Sequence, residues 1–151
     1  MRQREGPHLI NIDHKMDALV NYFRTDRRLE AAYIFGSYGT EYQTPLSDVD
    51  LALLVTQGVT ISLNDELRLG AEITAITGEE DIDLVILNKV PVTLQYRVIS
   101  TGKLIYRKDD SQLADFIEKV LKFHGDYNID LTHFYREYDE HLKEEYLDGR
   151  S

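Results

Sequence analysis

Two pairs of aspartates stand at the front of apolar runs in this sequence. Asp48 and Asp50 open the run DVDLALLV, and Asp81 and Asp83 open the run DIDLVILN. Because successive side chains of a strand point to opposite faces, both members of a pair share one face. Neighbouring carboxylates repel each other unless a cation lies between them, and their oxygens are ligands that Mg²⁺ prefers. The spacing therefore predicts a divalent-metal site at the start of the second strand.

Asp83 is predicted to be the third carboxylate of this site. If the second and third strands are neighbours, one aspartate of the later pair can approach Asp48 and Asp50. Asp83 lies deeper in its strand, where an isolated carboxylate needs a reason to be. Asp81 stands at the mouth of the strand beside two glutamates, so we expect it to face water.

A Gly-Ser pair supplies the other half of the candidate site. Gly36 and Ser37 follow the apolar run LEAAYIF, and residues 38–47 separate them from Asp48. A glycine lets a ligand approach the backbone, and Ser37 stands where a short helix could begin. Backbone N–H groups at such a turn bind phosphate. A phosphate site beside metal-binding carboxylates is the arrangement that nucleotidyl transfer needs, with an acceptor hydroxyl attacking in line.

Neither motif is specific alone, because Asp-x-Asp also occurs in turns and Gly-Ser occurs anywhere. The order of strand, Gly-Ser, spacer, Asp-x-Asp, strand and later aspartate is much more specific.

Hydrophobic periodicity predicts the elements that must position these residues. Helices are predicted at 13–24, 63–77 and 91–100, and a helical pattern covers 110–147 with an interruption at Gly125 and Asp126. Strands are predicted in the run that ends at Gly36 and at 48–55, 81–88 and 103–107.

Several residues are expected to begin or end these elements. Asp13 is the expected N-cap of the first helix, and Pro91 is the expected first residue of the third. Gly78 is the expected residue after the second helix. Residues 1–12 are polar and broken by glycine and proline, so we expect a frayed start.

The order and length of the elements predict one domain of α/β (α+β) class in 151 residues. Residues 1–109 are the expected core, and residues 110–151 are the expected C-terminal helical extension of the same domain.

Composition narrows the classes of function. The net charge of −10 argues against broad binding to nucleic acid, and fits solubility or a basic protein partner. There is no cysteine, hence no disulfide and no thiolate metal site. No signal peptide and no membrane-spanning run is evident, so we expect a cytoplasmic protein without membrane contact.

At this point the sequence resembles a known family. Gly36-Ser37, residues 38–47 and Asp48-Val49-Asp50 match the Gly-Ser-x10-Asp-x-Asp signature of polymerase-β-like nucleotidyltransferases. The runs DIDLVILNKVP and ISTGKLIYRKD resemble the downstream pattern of the minimal nucleotidyltransferase (MNT) branch. The resemblance covers about residues 16–109. It implies the nucleotidyltransferase fold, a mixed and mostly antiparallel sheet flanked by helices.

The resemblance also implies a function, because many MNT proteins are antitoxins that adenylylate a tyrosine of a HEPN RNase toxin. By resemblance, Asp48 and Asp50 bind Mg²⁺, and Asp83 completes the metal site or acts as base. Gly36 and Ser37 hold the β- and γ-phosphates of ATP. The chain is then expected to be a Mg²⁺-dependent adenylyltransferase that forms a hetero-oligomer with its toxin.

The spacer departs from this family at two positions. Relatives often carry arginine and then glycine where this chain has Thr40 and Glu41. A cation near the triphosphate is therefore missing and an anion is added. Two alternatives stay open: a nucleotidyltransferase of small molecules such as aminoglycosides, and an antitoxin that blocks its partner only sterically.

The other residues that could take part in chemistry are expected to be solvated or to pack against neighbours. The five histidines show no metal-ligand spacing, and Arg68 and Lys89 are expected on a solvated face. Tyr135, Tyr138 and Tyr146 are expected to pack, with partner contact as the second interpretation.

Overall fold

The computed structural model describes residues 9–108 and 110–125. The strands are β1 (Leu29–Phe35), β2 (Val49–Val55), β3 (Ile82–Ile86) and β4 (Lys103–Arg107), and the helices are α1 (Met16–Thr25), α2 (Leu63–Thr77), α3 (Val92–Thr101) and α4 (Asp110–His124). The strands form one sheet in the order β3-β2-β1-β4. β1 pairs antiparallel with β2 and β4, and β2 pairs parallel with β3. The predicted mixed and mostly antiparallel sheet is confirmed.

Helices cover both faces of this sheet. One core joins the sheet to α1 and α2, and a second joins it to α3 and α4. The side chains of β2 alternate between the two cores. Val49 and Leu51 belong to the first core, and Ala52 belongs to the second. Asp50 lies between Val49 and Leu51 in β2, so its side chain projects from the face that α3 and α4 cover further along.

The ends of α2 and α4 follow from local sequence. The Ser62 hydroxyl accepts a hydrogen bond from the Asp65 N–H group, and the Asp65 carboxylate accepts one from Ser62 N–H. This capping box begins α2, and Gly78, with φ of 76°, ends it as predicted. Gly125, with φ of 93°, follows α4 where an interruption was predicted. Asp126 and the rest of the predicted helix lie outside the described residues.

Two predicted helix starts are wrong. Asp13 opens a 3-10 turn, α1 begins only at Met16, and no side chain caps it. The Asp13 carboxylate accepts a hydrogen bond from the Tyr38 hydroxyl at 2.8 Å, so it is engaged elsewhere. Pro91 occupies the N-cap position with extended backbone, and α3 begins at Val92.

The expectation of a frayed start is also wrong for the described residues before α1. Ile10 and Ile12 are 2% and 0% exposed and lie in the core with α1 and α2. The burial of these two apolar side chains is enough to fix the segment against the core. Residues 1–8 lie outside the described part of the chain.

α4 packs on the sheet rather than standing apart, because Leu113 and Ile117 are buried in the core beside α3. The boundary between a core at 1–109 and an extension at 110–151 stays a prediction. No helix in residues 9–108 and 110–125 is long and apolar enough to cross a bilayer.

Candidate active site

The two aspartate pairs stand at the starts of neighbouring strands, which is the condition on which the predicted approach of Asp83 to the first pair depended. Asp50 of β2 is the register partner of Asp83 in β3. The Val49 N–H group donates to the carbonyl of Asp81 at 2.9 Å, which fixes the start of this pairing. Asp48 directly precedes β2 and Asp50 is its second residue. The sheet therefore brings Asp50 and Asp83 side by side at the edge where both strands begin.

The three carboxylates act on one another electrostatically. Partial burial raises the pKa of the Asp50 carboxyl above its usual value, and the negative charges of Asp83 and Asp48 raise this pKa further. The positive charge of Arg97 on α3 opposes them. A divalent cation would relieve this repulsion more strongly than a single guanidinium.

Gly36 joins the two halves of the predicted site. Its φ of 77° lies in the left-handed region, which side chains rarely tolerate. A Cβ at this position would lie 2.2 Å from Asp50 Oδ2 and 3.3 Å from Asp50 Cγ. Only glycine meets both requirements, because the Asp50 carboxylate occupies the space that any side chain would need.

The segment after Gly36 forms consecutive turns, and no helix begins at Ser37, where the sequence would have allowed one. The Ser37 carbonyl accepts hydrogen bonds from the Thr40 N–H group at 3.0 Å and from the Thr40 hydroxyl at 2.6 Å. A helix cannot continue here because Gly36 and Gly39 both have positive φ, 77° and 76°.

Most backbone N–H groups of this segment are already used within it. Those of Gly39, Thr40, Tyr42 and Gln43 all donate to acceptors at positions 37–43. Within the described residues, the N–H groups of Ser37 and Tyr38 and the Ser37 hydroxyl have no hydrogen-bond partner. Two adjacent free N–H groups beside a hydroxyl, after a left-handed glycine, are well suited to bind phosphate oxygens.

The donor set fits a divalent cation by its chemistry. Asp48, Asp50 and Asp83 offer only hard oxygen ligands, and they repel one another without a cation. In residues 9–108 and 110–125, no group of three or more His, Cys, Asp or Glu side chains is arranged to hold a metal ion. The metal role of the three aspartates therefore stays a prediction.

The exposure of the second pair is the reverse of the prediction. Asp83 is exposed and Asp81 is half-buried. Asp83, and not Asp81, is the register partner of Asp50, so its place in the site follows from strand pairing and not from burial in its strand. Its exposure leaves the carboxylate open to a ligand.

Sequence reasoning missed Arg97, because only the tertiary fold brings α3 to this end of the sheet. Gly102 directly follows α3, and a Cβ there would lie 3.3 Å from the Ile34 carbonyl oxygen and 3.4 Å from Phe35 Cβ. The end of α3 thus packs on the end of β1, next to Gly36. No spacing in the sequence marks this contact.

Sequence reasoning also missed Tyr38. Its hydroxyl accepts a hydrogen bond from Ile12 N–H at 2.8 Å in addition to donating to Asp13. Its place directly after Ser37 was the one available signal.

The other candidates stand apart from the site. Lys89 forms an ion pair with Glu66 at 2.9 Å and donates to the Ile61 carbonyl, which occupies its ammonium group. Arg68 is exposed, as expected of a solvated face, and so is His14. The side chains of His8, His124, His133, His141, Tyr135, Tyr138 and Tyr146 lie outside the described part of the chain.

The family model "Polymerase beta, Nucleotidyltransferase" matches residues 17–111. The chain belongs to this nucleotidyltransferase family. The match spans the Gly-Ser turn, both aspartate pairs and all four strands. No curated protein matches the chain.

Solved structures of toxin–antitoxin complexes contain chains with the same fold. A chain of a toxin–antitoxin complex with AMP-PNP has a TM-score of 0.59 and 22% identity, and the match covers 87% of this chain and 95% of that one. A chain of the tri-AMPylated Shewanella oneidensis HEPN toxin in complex with MNT antitoxin has a TM-score of 0.57 and 20% identity, with 89% and 98% covered. A chain of the MntA–HepT toxin–antitoxin has a TM-score of 0.55 and 20% identity, with 87% and 96% covered. The predicted resemblance to MNT proteins is thereby confirmed at the level of the fold.

Proposed function

We propose that this protein is an antitoxin that transfers AMP from ATP to a tyrosine hydroxyl of a HEPN RNase toxin and so neutralises it. The observation that carries the proposal is the packing of the Asp50 carboxylate on Gly36. This contact joins the carboxylates to the free N–H groups of the turn. Membership of the nucleotidyltransferase family supports the chemistry, and the similar complex with a tri-AMPylated HEPN toxin supports the acceptor.

In this proposal the Gly-Ser turn holds the triphosphate. The N–H groups of Ser37 and Tyr38 and the Ser37 hydroxyl donate to the β- and γ-phosphates, since no protein acceptor in the described residues competes for them. Mg²⁺ held by Asp48 and Asp50 would neutralise the triphosphate and favour departure of pyrophosphate.

The chemical step is a displacement at the α-phosphorus. The tyrosine oxygen forms a bond to this phosphorus while the bond to the oxygen that bridges the α- and β-phosphates breaks, and pyrophosphate leaves. The phenolic proton passes to Asp83 if this carboxylate acts as base, or to solvent if Asp83 completes the metal site. Asp83 is exposed next to Asp50, so an incoming hydroxyl has access to it.

The spacer lacks the basic side chain that relatives often carry, and Thr40 and Glu41 are both exposed. Thr40 closes the turn through its two hydrogen bonds to Ser37. Arg97 approaches the carboxylates from the side of α3 and is the cation that we assign to the developing negative charge of the phosphates.

The remaining parts of the proposal concern partners and location. The toxin and ATP are the proposed partners, and the protein acts in the cytoplasm as a hetero-oligomer with the toxin. Direct binding to nucleic acid is not proposed, because a net charge of −10 opposes phosphate backbones.

The proposal is tested by incubating the protein with the HEPN toxin encoded beside it, Mg²⁺ and ATP labelled at the α-phosphate. We expect label on a toxin tyrosine, loss of the toxin's RNase activity, and no label when EDTA removes the metal. A protein in which Asp48→Ala and Asp50→Ala are combined should neither label nor neutralise. Full neutralisation by this variant would instead establish the steric alternative, and label on an aminoglycoside without toxin would establish the small-molecule alternative.

A further inference from the structure

Two side chains of the spacer tie the Gly-Ser turn to the residues before α1. The Tyr38 hydroxyl accepts from Ile12 N–H and donates to Asp13 Oδ1, both at 2.8 Å. The Gln43 side-chain amide donates to the Ile10 carbonyl at 2.8 Å, and its oxygen accepts from Gly39 N–H at 2.9 Å. We call the set formed by Tyr38, Gln43 and residues 10–13 the N-terminal clamp.

Ile10 and Ile12 anchor the N-terminal clamp in the core, whereas its hydrogen bond between Tyr38 and Asp13 is exposed. Ile10 and Ile12 are buried with α1 and α2, and the Tyr38 ring packs partly buried against the same core. Burial raises the pKa of Tyr38 to about 12, with the Asp13 carboxylate contributing, so the hydroxyl remains a donor at neutral pH. The turn is thus tied to residues that are buried in the core with α1 and α2.

The position of the clamp matters because the spacer has no cation. Residues 36–47 include no lysine or arginine and do include Glu41. Phosphate binding at this turn therefore rests on neutral donors, the free N–H groups of Ser37 and Tyr38 and the Ser37 hydroxyl. Dipoles of this kind bind strongly only when they are already oriented, because reorganising them on binding costs free energy.

Tyr38 belongs both to the clamp and to the free donors of the turn. Its N–H group is one of the two free donors, and its hydroxyl forms the clamp's hydrogen bonds to Ile12 and Asp13. Gln43 holds Gly39, which follows Tyr38 in the same turn. The clamp thus restrains the chain at the second free donor and at the residue that follows it.

We propose that Tyr38 and Gln43 are positioning residues for the triphosphate, and that residues 10–13 are therefore part of the nucleotide site. This inference rests on the proposed function in that it takes a nucleoside triphosphate with Mg²⁺ as the ligand. Neither side chain touches the reacting atoms in this account.

The test compares Tyr38→Phe, which keeps the ring and removes the hydroxyl, with the matched control Tyr42→Phe. Tyr42 lies in the same spacer and is 75% exposed, and its hydroxyl has no partner within the described residues. Calorimetric titration with AMP-PNP and Mg²⁺ should show binding weakened about five- to tenfold for Tyr38→Phe, as expected for one or two lost hydrogen bonds. Tyr42→Phe should bind like the wild type.

Two further readouts separate positioning from loss of fold. Asp13→Asn keeps an acceptor for the Tyr38 hydroxyl and should retain affinity. Asp13→Ala removes this acceptor but leaves the bond from Ile12 N–H, so it should lose only part of the affinity that Tyr38→Phe loses. In the transfer assay, KM for ATP should rise with Tyr38→Phe and with Gln43→Ala, while kcat and the KM for the toxin stay within about twofold.

Equal AMP-PNP affinity of Tyr38→Phe and Tyr42→Phe would overturn the inference and leave the proposed function standing. Binding of AMP-PNP without any AMP transfer would refute the proposed function, while the affinities of the variants would still decide the inference. A wild-type protein that binds no nucleotide would refute both.

Discussion

At the scale of single residues, Gly36 meets a conformational, a steric and a chemical requirement of the site. Its backbone is left-handed, its missing side chain makes room for the Asp50 carboxylate, and the free N–H group of Ser37 follows. Gly39 has nearly the same φ, 76°, but a Cβ there would meet nothing within 4 Å. Gly39 is therefore required only by its backbone conformation, whereas Gly36 is required also by the space that the Asp50 carboxylate occupies.

This difference predicts the behaviour of Gly36→Ala and Gly39→Ala. Both should lower the free energy of unfolding by about 1 kcal/mol, because both place a side chain at positive φ. Only Gly36→Ala displaces the Asp50 carboxylate, so only this variant should lose AMP transfer, by about 100-fold or more. Urea unfolding and initial transfer rates measure the two effects, and equal transfer rates would show that the contact with Asp50 is unimportant.

The residues that could be predicted from sequence are those whose role follows from local spacing. Asp48 and Asp50 share a strand face by alternation, and Gly36 and Ser37 stand next to an apolar run. Tyr38 in its clamp and Arg97 could not be predicted in this way. Their contacts join segments that are far apart in sequence, such as Tyr38 with Ile12, 26 positions apart.

At the scale of elements, the parallel pairing of β2 with β3 determines which aspartates meet. The register sets Asp50 beside Asp83 and Val49 beside Ile82. A shift of one residue would turn Asp83 to the opposite face. The sequence predicted both strands, but their register depends on Ile82 and Leu84 packing against the core with α1 and α2.

Helix boundaries were predicted best where a residue has one strong local preference. Gly78 ends α2 in left-handed conformation as predicted, because few other residues adopt it. Asp13 failed as a predicted cap because its carboxylate is engaged by Tyr38, a contact with no sequence signal. Polar residues with several possible partners are therefore the ones that local sequence assigns poorly.

The connection between α1 and β1 makes a prediction about pH. Asp26 accepts hydrogen bonds from the Arg28 backbone and guanidinium, and its side chain is 13% exposed. The guanidinium of Arg28 lowers the pKa of the Asp26 carboxyl despite opposing desolvation. A lowered folded-state pKa gives stability that is present above the unfolded value of about 3.9 and lost as pH falls through the folded value.

Asp26→Asn should therefore lower the free energy of unfolding by about 1 kcal/mol at pH 7, since the pair is only partly buried. The difference from wild type should shrink as pH falls from about 4 through the lowered folded-state pKa of Asp26, and should vanish in acid in which the wild-type carboxylate is also protonated. Glu80→Gln, at an exposed site without a partner in the described residues, is the control and should change little at either pH. Urea unfolding across this pH range gives the comparison, and a difference that grows in acid would contradict the assignment.

At the scale of the whole molecule, the fold places the residues of the site at one end of a sheet that helices cover on both faces. The class, the mixed sheet and its mostly antiparallel order were predictable, because the sequence alternates strands and helices and resembles a known family. The arrangement of α3 at the site and of residues 10–13 under the turn was not predictable, since both depend on the packed core.

The electrostatics of the whole site also bear on how it is tested. The pKa of Asp50 is raised by burial and by Asp83 and Asp48, so its ionised form costs the folded state free energy. A neutral Asp50→Asn side chain of the same shape should leave stability unchanged or increased. Loss of activity in this variant can then be assigned to the site.

The most direct test of the account is the initial rate of AMP transfer from ATP to the HEPN toxin by the wild type, Asp50→Asn and Asp81→Asn. Asp81 is the first aspartate of the second pair, is half-buried and does not pair with Asp50, whose register partner is Asp83. We predict a rate at least about 100-fold lower for Asp50→Asn and a rate near that of the wild type for Asp81→Asn. Transfer by Asp50→Asn at the wild-type rate would contradict the account.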